Sequence, residues 1–290
     1  MKRQLDLIRE TDWHALLVLD ACRADAFHAT CNGGAEVVRA PGVCTPQWVA
    51  AVGPELERRD ALWVTANPVV DREVARLGLE VETVSAWQSL WGRWTAQGIP
   101  SVHPLTINGL VVGMRGVPAF VPTAADRIPG ARQNRARGVI RADRPIVVHY
   151  MQPHSPYIGS PPLGLSRWGG SGGGAGGDFG AACHALQQPE RAVRAGDVSW
   201  ADVREAYLGN LRLVWGAARR LAAILDGLVV ITSDHGELLG EQIDGQPRFG
   251  HEGHWRHGRL FEVPWLAVAP GAGPKPDDSM QRKLEALGYA

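Results

Sequence analysis

The sequence lacks a net charge and lacks long apolar runs. Its 290 residues carry 30 Lys and Arg against 30 Asp and Glu, and 45% of them are hydrophobic. That profile is typical of a soluble globular enzyme. Because no basic block stands alone, the electrostatic footprint of sequence-independent nucleic-acid binding is missing, and we expect no nucleic-acid partner. No apolar stretch reaches the roughly 18 residues that a membrane-spanning helix needs, so we expect no membrane span.

Cysteine is also scarce, with four residues that form no C-x-x-C pair, which argues against a zinc knuckle. The N-terminal region has basic residues but no apolar core before a small-residue cleavage site, so we predict no signal peptide. Reduced thiols without a secretory context predict a cytoplasmic location. The four cysteines are Cys22, Cys31, Cys44 and Cys183.

Short apolar, β-branched runs alternate with helical segments along the chain. This alternation predicts an α/β fold with a mostly parallel sheet covered on both faces, in a single domain over residues 1–290. Apolar residues from Tyr207 to Leu225 repeat every three to four positions, which predicts a helix that crosses over the sheet. The predicted strands are Ala15–Leu19, Leu62–Ala66, Ile146–Tyr150, Leu228–Thr232 and Val263–Val268.

A glycine-rich segment at about 159–180 is too poor in apolar side chains to offset its own ordering entropy. We predict a flexible loop there, and both a plain linker and a substrate lid are compatible with its composition. Arginines gather between Arg127 and Arg144, where a solvated loop is the simpler interpretation and a substrate rim the alternative.

Polar residues directly follow three of the predicted strands. Asp20 ends the first run, the cluster PHSPY follows VVHYMQ, and Asp234 and His235 end LVVITS. In open α/β sheets, ligands bind beyond the carboxyl ends of the strands. A single Asp after a strand often caps a helix, but three such places on three strands indicate a site.

Two carboxylates and an imidazole suit a divalent cation such as Mn²⁺, Zn²⁺ or Mg²⁺. Such an ion lowers the pKa of a coordinated hydroxyl and makes it a nucleophile without an adjacent histidine base. Thr45 in APGVCTPQW offers that hydroxyl. Pro46 favours an extended Thr45 and the start of a helix, whose backbone N–H groups would face an anionic substrate.

Several motifs, in this order along the chain, resemble the sulfatase-like branch of the alkaline phosphatase superfamily. They are LDACRADAF, CTPQW, HYMQPHSPY, ITSDHGELLGE, FGHEGHW, VPWLAVAP and LEALGYA. The resemblance implies an αβα sandwich. It also implies that a metal ion is held by Asp20, Thr45, Asp234 and His235.

The resemblance further implies histidines around the transferred phosphate or sulfate, here His149, His154, His251 and His254. His154 or His251 would protonate the leaving group, and a second metal ion would use His251 and His254. Asn67 is interpreted either as a hydrogen-bond donor to a substrate oxygen or as a turn residue before Pro68.

The sequence departs from the sulfatase pattern at two places, and both departures favour a phosphate ester over a sulfate ester as the substrate. The sequence Cys44-Thr45-Pro46-Gln47-Trp48 has Trp48 where the formylglycine motif C-x-P-x-R requires arginine. The first acid is Asp20-Ala21 rather than a doubled Asp, which makes Ca²⁺ less suitable because calcium takes six to eight oxygens.

We therefore predict a metal-dependent hydrolase or transferase that acts on a small-molecule phosphate or sulfate ester through a threonine nucleophile. The proposed reaction passes through a phospho-threonine intermediate. One alternative is a formylglycine sulfatase at Cys44. The other is a pseudoenzyme that binds an anion without turnover. The sequence predicts no particular oligomeric state.

Overall fold

The computed structural model describes residues 1–31, 34–86, 104, 107–108, 111, 144–161, 163 and 188–269. Most of the predicted loop at 159–180, most of the arginine cluster, Cys183 and the C-terminal motif lie outside the described residues.

The helices are α1 (Gln4–Glu10), α2 (Ala24–Cys31), α3 (Thr45–Arg58), α4 (Pro68–Leu77), α5 (Gln188–Arg194), α6 (Trp200–Ile224) and α7 (Gly258–Phe261). The strands are β1 (Ala15–Leu19), β2 (Glu36–Arg39), β3 (Leu62–Thr65), β4 (Thr83–Ser85), β5 (Ile146–Tyr150), β6 (Val229–Thr232), β7 (Leu238–Ile243), β8 (Gln246–Gly250) and β9 (Glu262–Val268).

Seven of these strands form one mixed sheet in the order β2-β9-β6-β1-β5-β3-β4, and β7 and β8 form a separate hairpin. Six strands of the sheet run in the same direction, while β9 runs antiparallel between β2 and β6. The five strands predicted from apolar runs are confirmed. The predicted crossover helix is confirmed as part of α6.

Successive strand residues point to opposite faces of the sheet, and each face packs against its own helices. On one face, Leu17, Leu19 and Val148 pack with residues of α2 and α6. On the other face, Leu16 and Val18 pack with residues of α1, α3 and α4. The predicted αβα sandwich is confirmed, because helices cover both faces of the mostly parallel sheet. None of the helices within the described ranges is long and apolar enough to cross a membrane.

Helix α3 begins at the predicted nucleophile. Cys44 is the extended N-cap residue, and Pro46 occupies the first turn, where its missing N–H is no loss. Trp48 and Val52 on the buried side of this helix pack on the sheet. The sequence predicts a helix that starts at Pro46, and the helix begins one residue earlier, at Thr45.

A buried glutamine ties α1 to the sheet and to α3. Gln4 Nε2 donates to Thr232 Oγ1 at 2.8 Å and to the Ser233 carbonyl at 2.6 Å. Its Oε1 accepts from Trp48 Nε1 at 2.9 Å. Gln4 is fully buried, so one side chain satisfies polar groups at the end of β6 and on α3.

We expect Gln4→Leu to lower the free energy of unfolding by about 1–3 kcal/mol, because the variant leaves Trp48 Nε1 and the Ser233 carbonyl buried without their partner. Urea denaturation measures the loss. The exposed Glu10 on the same helix gives the control Glu10→Gln, which we expect to stay within about 0.5 kcal/mol of wild type. A Gln4→Leu protein as stable as this control would contradict the assignment.

Candidate functional site

The carboxyl ends of four neighbouring strands carry the polar side chains of the site. Asp20 follows β1, Asn67 lies just beyond β3, His149 lies near the end of β5, and Asp234 follows β6. Because β6, β1, β5 and β3 are adjacent and parallel, these ends meet at one edge of the sheet. The start of α3 places Thr45 at the same edge.

The four predicted metal ligands lie together. Thr45 Oγ1 donates to Asp234 Oδ2 at 2.9 Å and lies 3.3 Å from His235 Nε2. Ligand atoms of Asp20, Asp234 and His235 all lie within 4.8 Å of one another. None of the four residues is more than 3% exposed.

The backbone around Asp20 holds Asp234 in place. Asp234 Oδ1 accepts from the Ala21 and His235 N–H groups, each at 3.0 Å, which leaves Oδ2 for Thr45. Ala21 has a φ of 58°, a left-handed conformation that is unfavourable for a residue with a Cβ. The Tyr207 hydroxyl donates to the Ala21 carbonyl and accepts from the Arg23 N–H. These bonds hold the turn in this conformation.

The cluster of carboxylates demands positive charge. Burial disfavours protonated imidazole, but the nearby Asp20 and Asp234 outweigh burial and raise the pKa values of His149 and His235 to about 9. Burial opposes ionisation of Asp234 as well, yet the positive imidazoles of His235 and His149 hold its pKa well below the usual value. Charge of opposite sign therefore dominates the site.

The donor set fits a divalent cation. The imidazole and the carboxylates are common ligands of Zn²⁺, and the carboxylates and the hydroxyl are oxygen ligands of the kind that Mn²⁺ and Mg²⁺ prefer. His235 Nδ1 lies 2.9 Å from the Gly236 carbonyl, and a bond there directs Nε2 toward the carboxylates. Protons on the imidazoles and a metal ion would thus compete for the same negative charge.

Asn67 lies at the turn before Pro68, as one interpretation predicts, while its donation to a substrate oxygen stays a prediction. Its Oδ1 accepts from the Val69 N–H and caps helix α4. Its Nδ2 donates to Asp20 Oδ2 at 2.5 Å and to Thr45 Oγ1 at 3.3 Å. Asn67 therefore links the first acid to the nucleophile.

His149 lies behind the carboxylates. Its Nε2 is 3.3 Å from Asp20 Oδ2 and 3.6 Å from Asp234 Oδ2, and its ring stacks on Trp63. The side chain is fully buried. This position favours balancing the charge of the two acids over the predicted contact with substrate.

A second group contains two predicted histidines and one residue that sequence reasoning missed. His251 Nδ1 lies 2.7 Å from Glu237 Oε1, and His154 Nε2 lies 4.0 Å from Glu237 Oε2. Glu237 is fully buried, and its Oε2 has no hydrogen-bond partner among the described residues. The His251 and His235 rings are 4.2 Å apart, so the two groups adjoin. The sequence could have indicated Glu237 as a site residue, because it stands two positions after His235 and close behind β6.

His254 lies outside both groups, although the family resemblance placed it beside the phosphate or as a second metal ligand. It is exposed and contacts the ring of Trp255. The structure thus pairs His251 with Glu237 and His154 instead. His254 lines a neighbouring cavity of about 600 Å³ together with Glu190, Arg191, Arg194, Arg248, Phe249, Glu252 and Trp255.

Comparison with protein-family models and with curated proteins finds no match. Solved structures are similar to the chain at low identity. The soluble domain of lipooligosaccharide phosphoethanolamine transferase A from Neisseria meningitidis is 11% identical, with a TM-score of 0.49 over 91% of this chain and 79% of that chain. The C-terminal periplasmic domain of phosphoethanolamine transferase EptC from Campylobacter jejuni is 12% identical, with a TM-score of 0.48 over 95% and 81%.

Phosphonate monoester hydrolase of Agrobacterium radiobacter is 13% identical, with a TM-score of 0.41 over 94% of this chain and 73% of that chain. The predicted cytoplasmic location stays a prediction.

We expect metal-stripped protein to release protons when it binds Zn²⁺ or Mn²⁺ near neutral pH. The raised pKa of His235, about 9, keeps its ring protonated, and the ring must lose that proton to become a ligand. Apparent metal affinity should therefore rise with pH up to about 9. Calorimetric titrations in two buffers of different ionisation enthalpy measure the released protons.

His235→Gln should release fewer protons, whereas the exposed control His254→Gln should match wild type. Metal affinity should rise with pH, whereas the stability that charged His235 gives to the metal-free protein should fall with pH. The contribution of charged His235 is fully present below about pH 6.5 and is lost as the pH rises through about 9. Metal binding without any buffer-dependent heat would contradict this description of the site.

Proposed function

We propose that the chain is a divalent-metal-dependent enzyme that transfers or hydrolyses phosphoryl groups of small-molecule esters through Thr45. One observation carries the proposal. The Thr45 hydroxyl, buried at the first turn of α3, lies within 3.3 Å of Asp234 Oδ2, His235 Nε2 and Asn67 Nδ2. A threonine that served packing alone would not need three polar partners from two other segments.

The residues that would hold the ion are Asp20, Thr45, Asp234 and His235. When bound, a divalent cation there lowers the pKa of the hydroxyl and offsets charge on the phosphoryl oxygens. The mixed set of two carboxylates and an imidazole favours Zn²⁺, Mn²⁺ or Mg²⁺ over Ca²⁺, which prefers more oxygen ligands.

Helix α3 supports the nucleophile electrostatically. Thr45 is its first residue, where the positive end of the helix dipole stabilises negative charge. This placement suits an oxygen that must lose its proton and attack an anionic ester.

In the reaction we propose, Thr45 Oγ1 attacks phosphorus, and its proton leaves along the hydrogen bond to Asp234 Oδ2. The bond from phosphorus to the ester oxygen breaks, and that oxygen takes a proton from His154. Water or an acceptor alcohol then gives a proton to His154 and attacks phosphorus. The bond from phosphorus to Thr45 Oγ1 breaks, and Oγ1 takes back the proton held by Asp234. Hydrolase and transferase thus differ in this second acceptor alone.

Glu237 and His251 lie beside His154, on the side of the site where the ester oxygen would leave. Their 2.7 Å contact orients the His251 ring, and the Glu237 carboxylate lies 4.0 Å from His154 Nε2. A second cation held by His154, Glu237 and His251 is the rival arrangement, and the spacing of their ligand atoms supports it as well.

The geometry favours Thr45 over a formylglycine at Cys44. Trp48, which stands where the sulfatase motif needs arginine, is fully buried and donates to Gln4. It therefore cannot contact a sulfate ester. Burial raises the pKa of the Cys44 thiol, which makes that residue a poor nucleophile.

We expect Thr45→Ala to lower phosphodiesterase activity on the order of a thousandfold or more, because the variant lacks the hydroxyl that attacks phosphorus. Thr45→Ser should retain measurable activity, and Cys44→Ala should stay close to wild type. Steady-state rates with an aryl phosphodiester and metal analysis of each variant test this. Full activity in Thr45→Ala would exclude the mechanism, and loss in Cys44→Ala alone would favour the sulfatase. Metal binding by wild type without turnover of any ester would favour the pseudoenzyme.

Glu237→Gln distinguishes one ion from two. The proposed mechanism predicts one tightly bound ion per chain in wild type and in Glu237→Gln, with slower turnover in the variant. Equilibrium dialysis followed by elemental analysis measures the stoichiometry. Two ions in wild type and one in Glu237→Gln would show that the second group is a metal site.

A further inference from the structure

The segment that carries His154 has no regular secondary structure although it is buried. Every residue from Met151 to Tyr157 is buried, and none of them belongs to a helix or strand. Buried backbone N–H and C=O groups must nevertheless be paired. The His154 N–H donates to the Asp20 carbonyl at 3.2 Å. Its neighbours need other partners.

One side chain, Asn210 in the middle of α6, bonds five backbone groups of this segment and of the two residues that follow it. Its Oδ1 accepts from the Ile158 and Gly159 N–H groups, each at 2.8 Å. Its Nδ2 lies 3.0–3.3 Å from three carbonyls of the segment and donates to them. These carbonyls belong to Pro153, His154 and Pro156.

The chemistry of this contact fits asparagine alone among side chains of its size. It needs an acceptor on one side and a two-proton donor on the other, so the orientation of the amide is fixed. Aspartate would place an oxygen against three carbonyl oxygens. Leucine would leave all five backbone groups without this partner. Asn210 is fully buried, so water does not compete for these bonds.

Two glycines bring the segment against α6. A Cβ at Gly159 would lie 2.3 Å from the Gly209 backbone, and a Cβ at Gly209 would lie 2.6 Å from the Ser160 carbonyl oxygen. The close approach requires glycine on both sides. It places the backbone of the segment within reach of the short Asn210 side chain.

The direction of the His154 ring follows from this backbone. Its Nδ1 lies 2.5 Å from the Ser155 carbonyl, and an Nδ1–H bond there leaves Nε2 on the side of Glu237. The Ser155 carbonyl lies between the His154 and Pro156 carbonyls, and Asn210 holds both of these. Asn210 therefore fixes the group that orients the ring.

We infer that Asn210 is a positioning residue that aims His154 Nε2 at the leaving group. This inference rests on the proposed function for its catalytic consequence. Its structural content, the fixed ring and tautomer of His154, is independent of turnover. A general acid matters most when the leaving group is a poor one, so a displaced His154 should affect poor and good leaving groups unequally.

The test compares Asn210→Asp with wild type on a phenyl and a nitrophenyl phosphodiester. We expect kcat/KM for the phenyl ester to fall roughly a hundredfold, and the nitrophenyl ester to be affected much less. His154→Gln should give the same selectivity, and the double variant should lose little more than either single variant. Equal losses on both esters, or no loss, would overturn the inference.

Asn108→Asp is the matched control. Asn108 is also a fully buried asparagine that contacts α6, but its Nδ2 donates to the Ala217 carbonyl and its Oδ1 accepts from the Tyr150 hydroxyl, so its amide serves groups outside residues 151–159. We expect it to keep the wild-type ratio of the two esters. If Asn210→Asp does not fold, Asn210→Ser, which keeps one donor and one acceptor, replaces it in the same comparison.

Histidine NMR gives a readout that needs no turnover. Long-range ¹H–¹⁵N spectra, assigned with His154→Gln, should show the Nδ1–H tautomer of neutral His154 in wild type and in Asn108→Asp. They should show mixed tautomers in the Asn210 variant. An unchanged tautomer would overturn the inference. Absence of turnover of either ester by wild type would count against the proposed function instead, while the spectra still decide the role of Asn210.

Discussion

The structure depends on two carboxylates, Asp20 and Asp234, that are buried at one edge of a parallel sheet. Two negative charges at this depth are costly unless positive charge accompanies them. In this structure the imidazoles of His149 and His235 take that role, and their pKa values are raised to about 9 as a result. A divalent cation would meet the same demand, and the Thr45 hydroxyl lies where such an ion would be shared. The proposed chemistry is therefore a consequence of where the sheet places its acids.

Both helical layers contribute polar side chains that hold this edge. Gln4 on one side of the sheet bonds the end of β6 and the nucleophile helix. Tyr207 and Asn210 on α6 bond the turn after Asp20 and the segment that carries His154. Each of these side chains is fully buried and satisfies backbone or ring groups that have no strand or helix partner. Catalytic geometry requires such rigid support, because small displacements of reacting groups cost large factors in rate.

The sequence predicts five strands of the sheet and the grouping of Asp20, Thr45, Asp234 and His235, because apolar runs mark buried strands and parallel strands end at one edge. It does not predict β2, β4, β7 and β8, which are partly exposed and lack such a run. It predicts less about partners that are far apart in the chain. An apolar run carries no direction, so nothing marked β9 as antiparallel. Gln4 resembles a surface residue of a short helix, and its contacts lie more than forty positions away. Asn210 was detectable only as a polar residue beside the apolar face of α6. The spacing in FGHEGHW does not reveal that His251 turns inward while His254 stays exposed.

The most direct test of the account is anomalous diffraction from crystals of the zinc- or manganese-loaded protein, measured on both sides of the metal absorption edge. The account predicts a peak bonded to Asp20, Thr45, Asp234 and His235, at about 2.0–2.2 Å from their oxygen and nitrogen atoms for zinc. A peak elsewhere with none at this edge, or an ion there that leaves the Thr45 hydroxyl unbound, would contradict it.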